Sequence, residues 1–310
     1  MIEVKNLKMS YGKREVLKNI SFHIEEGKMV GLLGANGAGK TTVMNILTGY
    51  LKPVEGEVKI HQTDMRQTPK QAKRYIGYLP EVPPLYKDMR VLEYLLFAAG
   101  LKGIKEKNAE VERVLKLVDL EDRQYDFIKN LSKGMKQRVG FAQALLGNPP
   151  VIVLDEPLTG LDPDESRKMR ELLRNLREGH SIIISSHILR EIEELCNEIL
   201  MLKDGQIVLD DSTTAAKRRG NRNVYKLKIK GDKDKIEEYL ERYDALREIR
   251  YVGEKEADVH EFIAKAKNTR DIRDSIFGYL AGKKFSVYGI EKMEASLEEV
   301  FMELNSKEEQ

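Results

Sequence analysis

The sequence predicts an α/β domain with a phosphate-binding loop, followed by a smaller α+β module. Three observations lead there. Short β-branched runs alternate with longer amphipathic stretches, as strands alternate with helices. The string GANGAGKTT, residues 34–42, lies between the apolar run MVGLLG and the helix-like KTTVMNILTG, the context a phosphate loop requires. DSTTAAKRRGNRN, residues 211–223, is polar, basic and free of periodic apolar residues. It reads as a linker or exposed helix end, after which the alternation resumes.

In chain order, IEVKNLKM and REVLKNISFHI read as early strands. MVGLLG is a buried strand entering the glycine loop, and KTTVMNILTG is the helix leaving it, which stops at Gly49. VIVLDE and SIIISSH are further apolar strands. ILMLKDGQIVLD is a hairpin turning at Asp204-Gly205, a favoured two-residue turn, and is expected to close the sheet. Over 224–310, VYKLKIKG, DKIEEYLERY, LREIRYVG, DIRDSIFGYLAG, FSVYGIEKM and SLEEVFMELN alternate strand and helix, which fits a small α+β module.

Composition narrows the function classes. The 310 residues are 41% hydrophobic, enough for one large core and an appended module. Lys+Arg 53 and Asp+Glu 51 nearly cancel, to +2, so no overall field draws in nucleic acid or acidic lipid. The single cysteine, Cys196, cannot form an internal disulfide, and MIEVKNLKMS lacks the pattern of a secretory signal; a reducing, cytoplasmic setting is expected. Apolar runs such as VIVL and IIIS fall far short of the roughly 20 residues that span a bilayer. Any membrane role needs a partner.

The loop Gly34-Ala35-Asn36-Gly37-Ala38-Gly39-Lys40-Thr41 matches G-x-x-x-x-G-K-[ST] at every position. Glycines let backbone N–H groups turn inward around a phosphate, and the following helix start adds its positive dipole end. Lys40 then reaches the β- and γ-phosphates and the Thr41 hydroxyl ligates Mg²⁺. A strand ending in Asp155 delivers a carboxylate to that metal, and Glu156 beside it can polarise an attacking water as general base. Alone, two adjacent acids could equally be a solvated turn; the loop upstream changes the balance. SIIISSH ends in His187, whose imidazole could hydrogen-bond the γ-phosphate or the water. His23, His61, His180 and His260 have no such setting and read as surface or packing residues. Ser132, in LSKGMKQRV, looks like the N-cap of a basic helix, which is either an ordinary capped helix or a second anion site.

Taken with GANGAGKTT, VIVLDEPLTGLD and SSH, the segment LSKGMKQR resembles the signature of the ATP-binding cassette superfamily, usually LSGGQ. The likeness covers Met1 to about Asp210. It implies a P-loop NTPase cassette, 1–210, with a helical subdomain at approximately 82–148, then the linker and the C-terminal module. It also implies that two cassettes stack head to tail, with each ATP between one subunit's loop (Gly34, Asn36, Gly37, Ala38, Gly39, Lys40, Thr41, Thr42) and the other's Ser132 and Gly134. Tyr11 matches the residue that stacks on adenine, and Asp162, in PLTGLD, the loop that touches the opposite cassette. Glu81 stands where members commonly carry a metal-contacting Gln, and a carboxylate can bind Mg²⁺ directly or through water. Lys133 and Met135 replace Gly and Gln of the signature.

These variants are similar to those of cassettes serving drug, antimicrobial-peptide or ion exporters, as is the tail SLEEVFMEL. The resemblance therefore implies an ATPase that dimerises on ATP, with a homodimer expected, and energises a separate permease from the inner face of the cell membrane. VPPLYKDMRVLEYLLFAAGLKG would belong to the helical subdomain, its apolar residues facing mostly the core or else a helix of the permease. The alternatives are a soluble cassette acting on ribosomes or DNA, and a binding-only ATP switch.

Overall fold

Two long strands open the chain, β1 (Ile2–Tyr11) and β2 (Arg14–Ile24), paired antiparallel. The computed structural model describes residues 1–219, 223–268, 270–293, 297–298 and 300–301. β3 (Met29–Leu33), buried along its whole length, leads through the glycine loop into α1 (Lys40–Leu47). β4 (Glu55–Ile60) and β5 (Thr63–Asp64) extend the first pair into an antiparallel sheet ordered β2-β1-β4-β5. Val4, Ile20 and Val58 of that sheet share one buried cluster with Val43, Ile46 and Leu47 of α1 and with Val30 and Leu32 of β3. Apolar burial thus fixes α1, and with it the loop at its start.

α2 (Pro69–Ala72) is a single turn before β6 (Ile76–Leu79). Three helices follow: α3 (Val91–Leu101), α4 (Lys107–Leu117) and α5 (Lys133–Leu145). β7 (Val151–Asp155), α6 (Pro163–Leu176), β8 (Ser181–Ser185), α7 (Leu189–Leu195), β9 (Glu198–Lys203) and β10 (Gln206–Ser212) complete a six-stranded sheet ordered β10-β9-β3-β8-β7-β6. Its pairs are parallel except β9 with β10. β7 and β8 are buried at every residue, which is why both read as unbroken apolar runs: strands of a parallel sheet are covered on two faces. At the β9–β10 turn Asp204 and Gly205 both take positive φ, 46° and 78°, the conformation an Asp-Gly hairpin favours.

Among the three helices, α3 buries Val91, Tyr94, Leu95, Ala98 and Ala99, a helical stripe, and leaves Phe97 and Leu101 exposed. The apolar run is thus divided: the α3 stripe faces inward, while Val82, Tyr86, Phe97 and Leu101 are exposed. α5 starts at Ser132, whose Oγ accepts the Met135 N–H at 3.1 Å. Its middle approaches the 80–84 loop so closely that a Cβ on Gly140 would lie 2.7 Å from Pro83 Cγ. At the other end, Lys102 Nζ donates to the carbonyls of Gln143, Ala144 and Leu146, capping α5, and burial pushes this ammonium down to about 8.

The chain divides into two units, Met1–Thr213 and Thr214–Gln310. The expected linker at 211–223 is corrected in part. Asp211 and Ser212 belong to β10, and α8 (Thr213–Arg219) is a helix. Its sequence TTAAKRR is rich in good helix formers, which the lack of an apolar period concealed. Residues 220–222 lie outside the described residues, as do most of SLEEVFMEL and the end of the chain.

The second unit runs β11 (Val224–Lys230), α9 (Lys233–Glu241), β12 (Leu246–Glu256), β13 (Val259–Ala266), α10 (Arg273–Gly282) and β14 (Ser286–Met293). Its antiparallel sheet is ordered β12-β13-β11-β14, a split β-α-β arrangement. Tyr225, Leu227 and Ile229 alternate inward from β11 to meet Ile236 and Leu240 of α9 and Ile276 and Leu280 of α10. β13 was not foreseen, although Phe262, Ala264 and Ala266 carry the two-residue period of a strand.

Because the Gly140 Cβ position is taken by Pro83, Gly140→Ala is expected to destabilise the chain by about 1–3 kcal/mol. A urea midpoint equal to that of the unaltered chain would contradict this packing.

Candidate functional site

The loop between β3 and α1 is shaped by two glycines in conformations L side chains avoid, Gly37 at φ 83° and Gly39 at φ 112°. A Cβ on Gly39 would also come within 2.8 Å of Leu17 Cδ2. Lys40 folds back, its Nζ donating to the carbonyls of Gly34 at 2.7 Å and Ala35 at 3.2 Å. Burial pushes the ammonium below its usual value, while Glu156 and Asp155 pull it back up.

At the end of β7 the Asp155 carboxyl is 4% exposed. Burial pushes its pKa up; the Ser185 hydroxyl, which donates to Oδ1 at 2.5 Å, works against that, Glu156 and Glu81 push further up, and Lys40 pulls down. The next residue, Glu156, takes φ 49°, an uncommon conformation for a side chain of its kind. Its N–H donates to the Ser185 carbonyl and hydroxyl at 3.2 and 2.9 Å. Its Oε2 accepts the Thr159 hydroxyl at 2.9 Å and lies 2.8 Å from His187 Nδ1. His187 follows β8, so neighbouring parallel strands deliver the acids and the imidazole to the same end of the sheet.

Lys40, Glu156 and His187 line one open cleft of about 540 Å³, whose lining does not include the buried Asp155. Asn36, Gly37, Gly39, Lys40, Thr41 and Thr42 contribute from the loop and helix start, Glu81, Glu156 and His187 from the strand ends, and Tyr11 from the β1–β2 hairpin. Arg14 and Val16, which sequence reasoning missed, line it too. A divalent cation would suit the raised, crowded Asp155 carboxyl. Among the described residues, however, no three His, Cys, Asp or Glu side chains gather to hold a metal by themselves. A cation here would need the Thr41 hydroxyl, Asp155, Glu81 and a ligand's own oxygens.

Ser132, Gly134 and Asp162 lie outside this cleft and form a second cluster, where the starts of α5 and α6 meet. Asp162 Oδ1 accepts the Glu165 N–H at 2.9 Å, and a Cβ on Gly134 would lie 2.7 Å from Glu165 Cγ. Glu165 in turn pairs with the buried Arg138, Oε2 to Nε 3.1 Å. The Lys133 side chain lies across Gly160, filling the space a Cβ there would need.

The family model described as ABC transporter matches residues 17–159. The uncharacterized ABC transporter ATP-binding protein YxlF of Bacillus subtilis (strain 168) is 34% identical over 84% of this chain and 88% of its own. The lantibiotic transport ATP-binding protein SrtF of Streptococcus pyogenes is 38% identical over 68% of this chain and 90% of its own. Among solved structures, the dimeric post-hydrolysis ATP-binding cassette MJ0796, bound to ADP and Pi, is similar with a TM-score of 0.63 and 29% identity, over 68% of this chain and 98% of that one.

Lys40→Ala removes the one ammonium inside the loop and is expected to weaken ATP binding about 10- to 100-fold, the scale of a hydrogen bond to a charged group. Equal affinity of the two proteins in equilibrium dialysis would show that the loop does not grip phosphate.

Proposed function

The chain belongs to the ABC transporter family, and from that premise we propose that it is an ATPase subunit whose active site is completed only when two copies face each other. One observation carries the reading. The glycine loop before α1 and the Ser132-capped start of α5 are two separate places suited to an anion, and the second lies outside the cleft formed by the first. A partner's nucleotide gives Ser132 and Gly134 something to bind. The dimeric form of the MJ0796 cassette supports the same arrangement.

Within one cleft, Tyr11 stacks on adenine, the loop amides and Lys40 hold the phosphates, and Glu156, held by His187, draws a proton from water attacking the γ-phosphate. Thr41, Asp155 and Glu81 hold Mg²⁺, which when bound neutralises charge on the phosphate oxygens. Asp162 lies in the loop that meets the second cassette. ATP binds the closed dimer more tightly than the open one, so its hydrolysis can drive opening and closing.

The work is done on a membrane partner. Among the described residues no helix is long and apolar enough to cross a bilayer. On this reading the cargo path lies in a separate permease, on which this subunit docks at the inner face of the membrane. The name of SrtF, and those of the bacitracin transport protein BcrA and the linearmycin resistance protein LnrL, favour export of a drug or antimicrobial peptide.

Glu156→Gln keeps the phosphate grip and removes the base. It is expected to lower turnover about 10²- to 10⁴-fold and to accumulate a dimer with MgATP; a persistent monomer on gel filtration would count against the paired site. Glu81→Ala is expected to raise the Mg²⁺ concentration needed for half-maximal turnover, and an unmoved Mg²⁺ titration would remove Glu81 from the metal shell.

A further inference from the structure

The Glu156 carboxylate is held from two directions at a single oxygen. His187 Nδ1, at the end of β8, and Thr159 Oγ1, in the loop between β7 and α6, both meet Oε2, at 2.8 and 2.9 Å. Oε1 has no protein hydrogen bond among the described residues. His187 is half exposed on its side chain, 49%, and an exposed imidazole at one contact leaves the carboxylate free to swing. Thr159 is better placed to stop that. Its N–H also donates to the Glu156 carbonyl at 3.2 Å, so one residue grips Glu156 by backbone and side chain together, across the residue with φ 49°.

We infer that Thr159 is a positioning residue for ATP hydrolysis: its hydroxyl fixes the Glu156 carboxylate so that one oxygen stays bound to protein and the other is left for the attacking water. The inference rests on the reading of Glu156 as general base. A hydroxyl suits the task because it donates to a carboxylate without adding a cationic charge that would compete with Lys40 or a metal for the phosphates. The loop itself is held from its far side, since Lys133 lies across Gly160 next door. That contact ties the segment that begins α5 to the loop that holds the base.

The test compares Thr159→Val, which keeps the shape and removes the donor, with Thr159→Ser, which keeps the donor, in the full-length chain. Losing a hydrogen bond to a charged group is expected to lower kcat about 10- to 100-fold, with KM for ATP unchanged within about twofold. The serine variant should recover most of the rate. Made on top of Glu156→Gln, the valine substitution should lower the residual single-turnover rate no further, because the group it acts through is gone. Should the valine variant fail to fold, judged by its thermal melt and ATP binding, Thr159→Ala answers the same question. Wild-type kcat in the valine or alanine variant while Glu156→Gln is inactive would overturn the inference and leave the general base standing. A full additional loss on the Glu156→Gln background, or a rise in KM at constant kcat, would overturn it as well. Wild-type turnover by Glu156→Gln alone would instead overturn the reading of the base.

Discussion

Two carboxylates in succession at the inner end of a buried strand are the constraint around which the cleft is arranged. Burial and the neighbouring carboxylates of Glu156 and Glu81 disfavour ionisation of Asp155, and the surrounding structure gives the two acids different partners. Ser185 donates to Asp155 through its hydroxyl and accepts the Glu156 N–H on the same oxygen, so one small residue on β8 serves both acids. The left-handed backbone at Glu156 then turns its side chain toward Thr159 and His187. Such a conformation persists only where neighbours over-determine it, as these bonds do. Lys40, buried nearby, supplies the compensating charge.

Much of this was legible in the sequence because its signals are local. The phosphate loop is fixed by spacing, and the strands beside it announce themselves as apolar runs because a parallel sheet is covered on both faces. The Asp-Gly turn is likewise written in two residues. What escaped was set by tertiary neighbours. Ser185 and Thr159 are ordinary hydroxyl residues until β7 and β8 bring them to Asp155 and Glu156. Arg14 joins the cleft only because the β1–β2 hairpin carries it there beside Tyr11. β13 was hidden by the mixed residues of its other face, Val259, Glu261, Ile263 and Lys265, although the alternation of Phe262, Ala264 and Ala266 was present, and α8 by having propensity without periodicity.

The second unit stands on a core of its own. α9 and α10 contribute to the same cluster as the inward side chains of β11 and β13. Period-two burial along β11, with lysines at the alternate positions, is the pattern of an antiparallel sheet packed on one side.

The cap at Ser132 has a consequence for how a phosphate would meet it. A hydroxyl has two lone pairs and one proton, and the Met135 N–H already occupies a lone pair. The proton stays free, and the bond arriving at the oxygen makes that proton more acidic in character and a better donor. The first turn of α5 thus readies the serine for donation: it can give a hydrogen bond to an incoming anion while the Met135 N–H holds its oxygen in place.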